Sequence, residues 1–317
     1  MKETELSYPS ADGHSTIRAW LWEPTGAANK RESPRALIQI VHGVAEYSGR
    51  YQQFVKYFVS QGFAVCSEDH IGHGLSVASA AELGHMPLHK GADALIADVH
   101  SLRQLVQDRY ETSLPYVLLG HSMGSFIVRC YLAEHGKGVI AAICSGTAQT
   151  PALTSFFGNR LAHLIAAIKG PEYRSDLLHK FGLGAYSKKV KNRRTDLDWL
   201  CTDPEVVDAY IADPLCGARL TAGGYATLTQ LTQRMVAATT LAYVPKKLRL
   251  LIISGKNDPV GNMGAGPNQA FKAYNRVDIE FVDLKIFAQA RHEILNEPNK
   301  RSVYNTIISW LELRLGV

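Results

Sequence analysis

An α/β fold built on a mostly parallel, doubly wound sheet is predicted by three features of the 317-residue sequence. Short apolar runs typical of buried strands alternate with stretches in which apolar residues recur at helical spacing. The alternation stops between about residues 147 and 240, where only helical patterns occur, and then resumes. We therefore expect a core formed by residues 1–146 and 241–317, with residues 147–240 inserted as a helical cap.

The first two strands are expected to form an antiparallel hairpin at one edge of the sheet. Residues 4–8 and 15–22 have β-like patterns, and they flank the turn signal Ala11-Asp12-Gly13-His14. The continuous apolar run at 36–41 is typical of a strand that is buried on both faces of a parallel sheet.

Helices and strands then follow in alternation along the core. The predicted order before the insertion is helix 48–60, strand 63–67, helix 90–109, a strand from Tyr116, a helix from about Phe126 and strand 139–144. After the insertion it is strand 248–253, helix 267–275, strand 278–284 and a closing helix from Asn296 with Pro298 in its first turn.

Composition and charge argue against several classes of function. A net charge of +5 without a basic arm does not indicate a nucleic-acid partner. The N-terminal residues lack the apolar segment of a signal peptide, and no apolar run approaches the roughly eighteen residues of a membrane span. Five cysteines without a C-x-x-C pair suit reduced thiols. We therefore expect a cytoplasmic protein.

The segment Gly120-His121-Ser122-Met123-Gly124 joins a strand pattern directly to a helical pattern, as a nucleophile elbow requires. Glycines two residues before and after a serine on a tight turn remove side chains that would clash with it. Ser122 would then be a nucleophile, and the N–H of Met123 would lie at a helix N-terminus, where an anion is stabilised. The pentapeptide alone also fits an ordinary glycine-bounded turn.

A base and an orienting carboxylate are needed to distinguish these interpretations. Of the twelve histidines, only His292 follows residue 179, and it comes directly after the last predicted strand. Asp258 lies in the turn after strand 248–253, at the strand end where ligand chemistry gathers in open α/β sheets. Asp278 and Asp283 compete for this role, but they precede or lie within a strand pattern. Asp258 is the preferred residue, and a solvated loop aspartate is its alternative interpretation.

A second donor for a developing oxyanion is expected after the strand at 36–41. The backbone N–H of Val44, in His42-Gly43-Val44, fits this position, and Gly43 lets the backbone approach the substrate. Each such donor typically lowers the barrier by roughly 3 kcal/mol. The side chain of His42 is expected to be structural.

Four segments together resemble the monoacylglycerol lipase and lysophospholipase branch of the α/β-hydrolases. They are His42-Gly43-Val44-Ala45-Glu46-Tyr47-Ser48-Gly49-Arg50-Tyr51, Asp69-His70-Ile71-Gly72-His73-Gly74-Leu75-Ser76, Gly120-His121-Ser122-Met123-Gly124 and Ala290-Arg291-His292-Glu293-Ile294-Leu295. The resemblance spans about residues 15–146 and 245–315. It implies an α/β-hydrolase fold and a helical cap over the pocket. It also implies a Ser122, Asp258 and His292 triad, with backbone N–H groups of Val44 and Met123 as the oxyanion hole.

Two parts of the chain depart from that family. The cap resembles it only weakly, and Asp213-Pro214-Leu215-Cys216 is its most similar piece. Eukaryotic monoacylglycerol lipases often have a cysteine shortly after the triad aspartate, whereas this chain has Val260-Gly261-Asn262-Met263-Gly264. These departures weaken the transfer of an exact substrate.

The resulting prediction is a serine carboxylic-ester hydrolase that acts on monoacylglycerol- or lysophospholipid-like esters through an acyl-enzyme, without a metal or organic cofactor. The alternative is a serine hydrolase of the same fold that acts on short esters, thioesters, amides or peptides. A binding module without turnover would require a broken triad. Ser122 itself excludes an aspartate nucleophile at the elbow.

Three further motifs also have simpler structural interpretations. The pairs His70/His73 and His85/His89 could be metal ligands, but the first falls in a family motif and no carboxylate at ligand spacing completes it. The glycines of 261–266 lack the Lys-Ser/Thr of a phosphate loop. The basic run 188–194 is either a solvated loop or, with the apolar residues near 156–168, a weak contact with anionic lipid.

Overall fold

The computed structural model describes residues 1–25, 33–110 and 114–316. Within this part of the chain, one eight-stranded sheet has the order β1-β2-β4-β3-β5-β6-β7-β8. The strands are β1 (Lys2–Pro9), β2 (Thr16–Glu23), β3 (Leu37–Val41), β4 (Ala64–Glu68), β5 (Tyr116–His121), β6 (Val139–Ser145), β7 (Arg249–Gly255) and β8 (Phe281–Phe287).

The direction of the strands is that predicted from the sequence. β1 pairs antiparallel with β2 from Lys2 opposite Glu23 to Pro9 opposite Thr16, and β2 pairs antiparallel with β4. All other neighbours in the sheet are parallel. The N-terminal hairpin therefore forms one edge of a mostly parallel sheet.

Helices cover both faces of this sheet. The α-helices of the described residues are α1 (Gln52–Ser60), α2 (Gly91–Gln107), α3 (Met123–His135), α4 (Ala152–Lys169), α5 (Asp176–Phe181), α6 (Pro204–Ala212), α7 (Ala222–Arg234), α8 (Ala238–Tyr243), α9 (Ala265–Arg276) and α10 (Lys300–Leu315). Side chains of α1 and α10 belong to the hydrophobic cluster on one face, and those of α2, α3 and α9 to the cluster on the other.

The double coverage explains why the central strands are apolar at most positions. In β3, Leu37 and Val41 belong to one cluster, whereas Ile38 and Ile40 belong to the other. Successive side chains of a strand point to opposite faces, so a strand between two helical layers needs apolar residues at nearly every position. This arrangement confirms the predicted doubly wound fold.

The last strand and the last helix begin later than the sequence predicts. β8 begins at Phe281 rather than near 278, because Asp278 lies in a turn after α9 with a φ of +57°. The last helix begins at Lys300 rather than Asn296. The N–H of Asn296 donates to the carbonyl of Glu293, so the segment containing Pro298 is a turn before the helix.

The segment between β6 and β7 contains helices α4 to α8. α4 packs along α7 through small buried side chains, among them Ser155, Ala162 and Ala166. α7 also contacts α2 and α3, so part of this segment lies directly on the core. Among the described residues, no helix has both the length and the apolar character that crossing a membrane requires.

Candidate active site

Ser122 lies on a strained turn between β5 and α3. Its φ of +51° and ψ of −120° fall in a region that L-residues seldom adopt, which costs about 1–3 kcal/mol. A side chain at Gly124 would collide with the carbonyl oxygen of Val41. The N–H of Ser122 donates to the carbonyl of Ser145 at 2.9 Å, which fixes the turn to the end of β6.

Asp258 and His292 form a buried hydrogen-bonded pair. The loop after β7 supplies the aspartate, and the loop after β8 supplies the histidine. His292 Nδ1 lies 3.0 Å from Asp258 Oδ2, and the N–H of Val260 donates to Asp258 Oδ1 at 2.8 Å. Because Nδ1 is engaged by the carboxylate, the other ring nitrogen, Nε2, is left to act as a base.

The imidazole and the serine face one cavity of about 410 Å³, to which both Ser122 and His292 contribute. His292 Nε2 is buried and has no hydrogen-bond partner among the described residues. Hydrogen bonds of catalytic groups are often long in unliganded enzymes and shorten when substrate binds. An unpartnered basic nitrogen on a residue that lines the same cavity as a nucleophile-type serine suits proton transfer between the two.

The electrostatic surroundings keep His292 more basic than burial alone would allow. Burial is the largest influence and lowers the pKa of the imidazole, since it disfavours the charged form. The carboxylates of Asp258, Glu293 and Glu46 act in the opposite direction and together raise the pKa above its ordinary value. An imidazolium formed during a reaction would therefore be stabilised.

Two backbone N–H groups near Ser122 in the fold or in the chain, those of Val44 and Met123, have no acceptor among the described residues. The N–H of Gly43 is taken, because it donates to Glu46 Oε1 at 2.6 Å. A Cβ at Gly43 would lie 3.1 Å from Ser122 Cβ, so this loop closely approaches the serine. Two free amides are thus available for a negative charge.

A buried charge network supports both loops of the site, and sequence reasoning gave it no role. Arg50 Nη1 and Nη2 lie 2.5 and 2.7 Å from the two carboxylate oxygens of Glu293, and Nη1 lies 2.9 Å from Glu46 Oε2. Glu46 Oε1 also accepts the hydroxyl of Tyr51 at 2.8 Å. One guanidinium therefore connects the loop of Val44 to the residue that follows His292.

Charge pairing with Arg50 outweighs the effect of burial on the pKa of Glu293 but not on that of Glu46. Burial by itself raises the pKa of Glu293, but the facing Arg50 guanidinium outweighs it and holds that pKa well below its usual value. The pKa of Glu46 is raised by burial, which the same Arg50 only partly offsets. The sequence signals were a glutamate and an arginine four residues apart after the first core strand and a glutamate adjacent to the candidate histidine.

The competing aspartates lie elsewhere. Asp283 accepts hydrogen bonds from Trp310 Nε1 at 2.7 Å and from Arg314 at 2.9 Å. Asp278 is exposed in the turn before β8. Of the three carboxylates considered from the sequence, the structure brings Asp258 to His292.

Three histidines of the other motifs, His42, His70 and His73, form a buried cluster. His42 Nε2 accepts the backbone N–H of His70 at 3.0 Å, and the two rings lie 4.0 Å apart. Burial lowers the pKa of His42, His70 and His73, so all three are neutral near pH 7. Within the described residues, no group of three or more potential metal ligands is arranged around a common point.

Fold and site together define an α/β hydrolase, and comparison with known proteins agrees. Residues 32–299 match the Hydrolase_4 family, described as serine aminopeptidase, S33, and the chain belongs to this family of hydrolases. A monoacylglycerol lipase from Mycolicibacterium smegmatis is 30% identical, over 88% of this chain and 88% of the relative. The human monoglyceride lipase is 27% identical, over 96% and 89% of the two chains. The crystal structure of a thermostable carboxyl esterase from Bacillus coagulans, solved with glycerol, superposes with a TM-score of 0.89 at 30% identity, covering 99% of both chains.

Proposed function

We propose that this hydrolase is a serine carboxylic-ester hydrolase that cleaves monoacylglycerol- or lysophospholipid-like esters, with Ser122, Asp258 and His292 as its triad. The single observation that carries the proposal is the buried Asp258–His292 pair, whose free Nε2 faces the same cavity as a strained serine. The related lipases and the esterase support the ester chemistry.

The proposed reaction uses the same groups in both half-reactions. His292 Nε2 takes the proton from Ser122, and Oγ adds to the ester carbonyl carbon. The N–H groups of Val44 and Met123 stabilise the resulting oxyanion, and the alcohol leaves with the proton that His292 carries. Water activated by the same imidazole then releases the carboxylic acid from the acyl-enzyme. Asp258 holds the imidazole with its proton on Nδ1 throughout.

A second cavity offers room for an acyl chain. It has a volume of about 350 Å³, and it is lined mainly by apolar and aromatic side chains of the segment between β6 and β7, including Phe157, Leu161, Tyr186 and Leu228. Leu183 lines both this cavity and the one at Ser122. An ester held at the serine could therefore place its chain in this apolar space, as a lipid substrate requires.

The charges of the site favour esters over the aminopeptidase activity that the family description names. Recognition of a free α-amino group calls for an available carboxylate. The two buried carboxylates of the described lining, Glu46 and Glu293, are engaged by Arg50, and the third, Asp196, is exposed to solvent beside Arg193. Short esters, thioesters, amides and peptides remain the alternative substrates that an assay panel distinguishes.

The test of the nucleophile is a single substitution. Ser122→Ala should abolish hydrolysis of p-nitrophenyl esters and labelling by a fluorophosphonate probe. Ser60→Ala, at the exposed end of α1, is the matched control and should retain both. Labelling or turnover that persists in Ser122→Ala would refute the assignment. A panel of monoacylglycerols, lysophospholipids, thioesters and aminoacyl amides then ranks the substrate classes by kcat/KM.

We also propose that residues 147–240 act as a cap over this site. Residues of this segment line the cavity at Ser122, among them Lys180, Leu183 and Trp199. The Trp199 ring lies 5.2 Å from the His292 ring. Trp199→Ala should therefore alter kcat/KM for bulky esters more than for acetate esters, and an equal effect on both would argue against a cap.

Weak contact of the cap with an anionic lipid surface is a further part of the proposal. α4 exposes Leu153, Phe157, Leu164 and Ile168. In the basic run 188–194, Arg193 and Arg194 form exposed ion pairs with Asp196 and Asp208, which contribute little. Co-sedimentation with vesicles should require anionic lipid and should weaken when the charges at 188–194 are removed. Binding that ignores both changes would contradict this contact.

A cytoplasmic location completes the proposal. All five cysteines are free thiols, and four of them are buried, which suits a reducing compartment. Fractionation of cells that express the full chain should recover the activity with cytoplasmic markers, and recovery in a secreted fraction would contradict this location.

A further inference from the structure

The rim of the cavity at Ser122 carries an excess of positive charge. Lys180, Lys188, Arg193 and Arg219 all line it. All four belong to the segment between β6 and β7, whereas the floor around Ser122 and His292 belongs to the core. The four cations are exposed to solvent, whereas Ser122 and His292 are buried, so the charge lies at the exposed part of the lining.

Only half of these cations have an anionic partner. Arg193 lies 3.3 Å from Asp196, and Arg219 lies 2.6 Å from Asp176. Both aspartates are highly exposed, at 83% and 92%, so water screens these pairs strongly. Lys180 and Lys188 form no ion pair or side-chain hydrogen bond within the described residues. The four cations thus exceed the two paired carboxylates by two.

The two cavities dictate which part of a substrate would meet this rim. In the function proposed above, on which this inference rests, the ester carbonyl lies at Ser122. With the acyl chain in the apolar cavity beyond Leu183, the alcohol part is left in the cavity whose rim holds Lys180 and Lys188. A neutral glycerol would leave both ammonium groups without a partner.

We infer that the preferred substrates are monoacyl esters whose alcohol part carries an anionic group, such as the phosphate of an acylglycerol phosphate. A phosphate monoester carries between one and two negative charges near pH 7, which matches the excess at the rim. Lysine binds phosphate as a mobile point charge, and two flexible lysines accommodate a head group without demanding one fixed geometry. Lys180 and Lys188 are then determinants of substrate specificity.

The test compares two soluble esters that differ only in this charge. 1-Hexanoylglycerol and 1-hexanoylglycerol 3-phosphate are assayed as monomers, so that no lipid surface is present. The wild-type enzyme should show the higher kcat/KM for the phosphate ester. In Lys180→Gln/Lys188→Gln, the ratio of the two kcat/KM values should fall roughly ten-fold, mainly through KM, since each exposed charge pair contributes modestly. Sodium chloride at about 0.5 M should have a similar effect on the wild type.

A matched double variant removes the same charge elsewhere. Lys56→Gln/Lys272→Gln changes exposed lysines of α1 and α9 and should leave the ratio unaltered. An equal fall in this control, or an unchanged ratio in the rim variant, would overturn the inference. So would a preference seen only with long-chain esters presented on vesicles, because the cations would then serve the lipid surface. Wild-type hydrolysis of the neutral ester alone would overturn the inference and leave the proposed function standing, whereas failure to hydrolyse either ester would refute the proposed function as well.

Discussion

Replacing Arg50 by methionine should show how far the buried charge network supports the site. Methionine keeps an unbranched apolar stem but removes three charge-assisted hydrogen bonds, two to Glu293 and one to Glu46. Removing one partner of a buried ion pair typically costs about 3–5 kcal/mol, because the remaining charge is left without compensation.

The size of the loss follows from the contacts that remain. Glu293 would keep the amide of Asn296 at 3.0 Å, and Glu46 would keep the N–H of Gly43 and the hydroxyl of Tyr51. Because these bonds remain, the loss of unfolding free energy in Arg50→Met should lie near the lower end of that range, at about 3 kcal/mol. At roughly 2 °C per kcal/mol for a chain of this size, Tm should fall by about 6 °C. Because Glu46 holds the loop of Val44, kcat should fall by up to about 100-fold.

The loss of unfolding free energy in Arg50→Met should depend on pH. Arg50 holds the pKa of Glu293 below its usual value. The carboxylate therefore stabilises the folded wild type at any pH above the pKa of an unfolded glutamate. This contribution is lost as pH falls through the lower pKa that Glu293 has in the folded state. Without Arg50, burial raises that pKa. The difference in unfolding free energy between wild type and variant should therefore be largest at pH 7–8 and shrink towards pH 4–5.

Urea unfolding at several pH values, together with initial rates on a p-nitrophenyl ester, measures both effects. Arg18→Met is the control, because Arg18 forms an exposed pair with Glu5, with side-chain exposures of 40% and 66%, and should cost less than about 1 kcal/mol. Equal losses in the two variants, or a loss in Arg50→Met that does not change with pH, would show that the network does not stabilise the protein as described.

Two other substitutions probe the triad and the turn. Asp258→Asn should lower kcat by roughly 10³–10⁴-fold, because asparagine cannot hold the imidazole in the required tautomer. Asp258 helps to raise the pKa of His292, and only the neutral ring accepts a proton. The acid limb of the pH profile of kcat/KM should therefore move to lower pH in this variant. An acid limb that stays in place would contradict the pairing of Asp258 with His292. Gly124→Ala should destabilise the fold by about 3 kcal/mol, because the added methyl group meets the carbonyl of Val41. An unchanged denaturation midpoint would show that the turn can relax around it.

Much of the core could be predicted because its signals are local. The apolar run of β3 and the helical spacing in α2 reflect the two-sided coverage of the sheet, which acts on each residue separately. Element ends were less predictable. Asp278 adopts a positive φ in a turn, and Pro298 lies before the last helix rather than in it, since local propensity alone does not set where a turn closes.

The sequence by itself determined the fold class and nominated Ser122, Asp258 and His292, because a strained turn needs glycines at fixed spacing and parallel strands present their following loops at one edge. Only the tertiary structure decided which carboxylate meets the imidazole, since Asp258 and Asp283 differ in partners far apart along the chain. The Arg50 network and the cationic rim were likewise decided by the tertiary structure. Both depend on distances between residues from separate loops, and interactions at such distances leave no periodic pattern in the sequence.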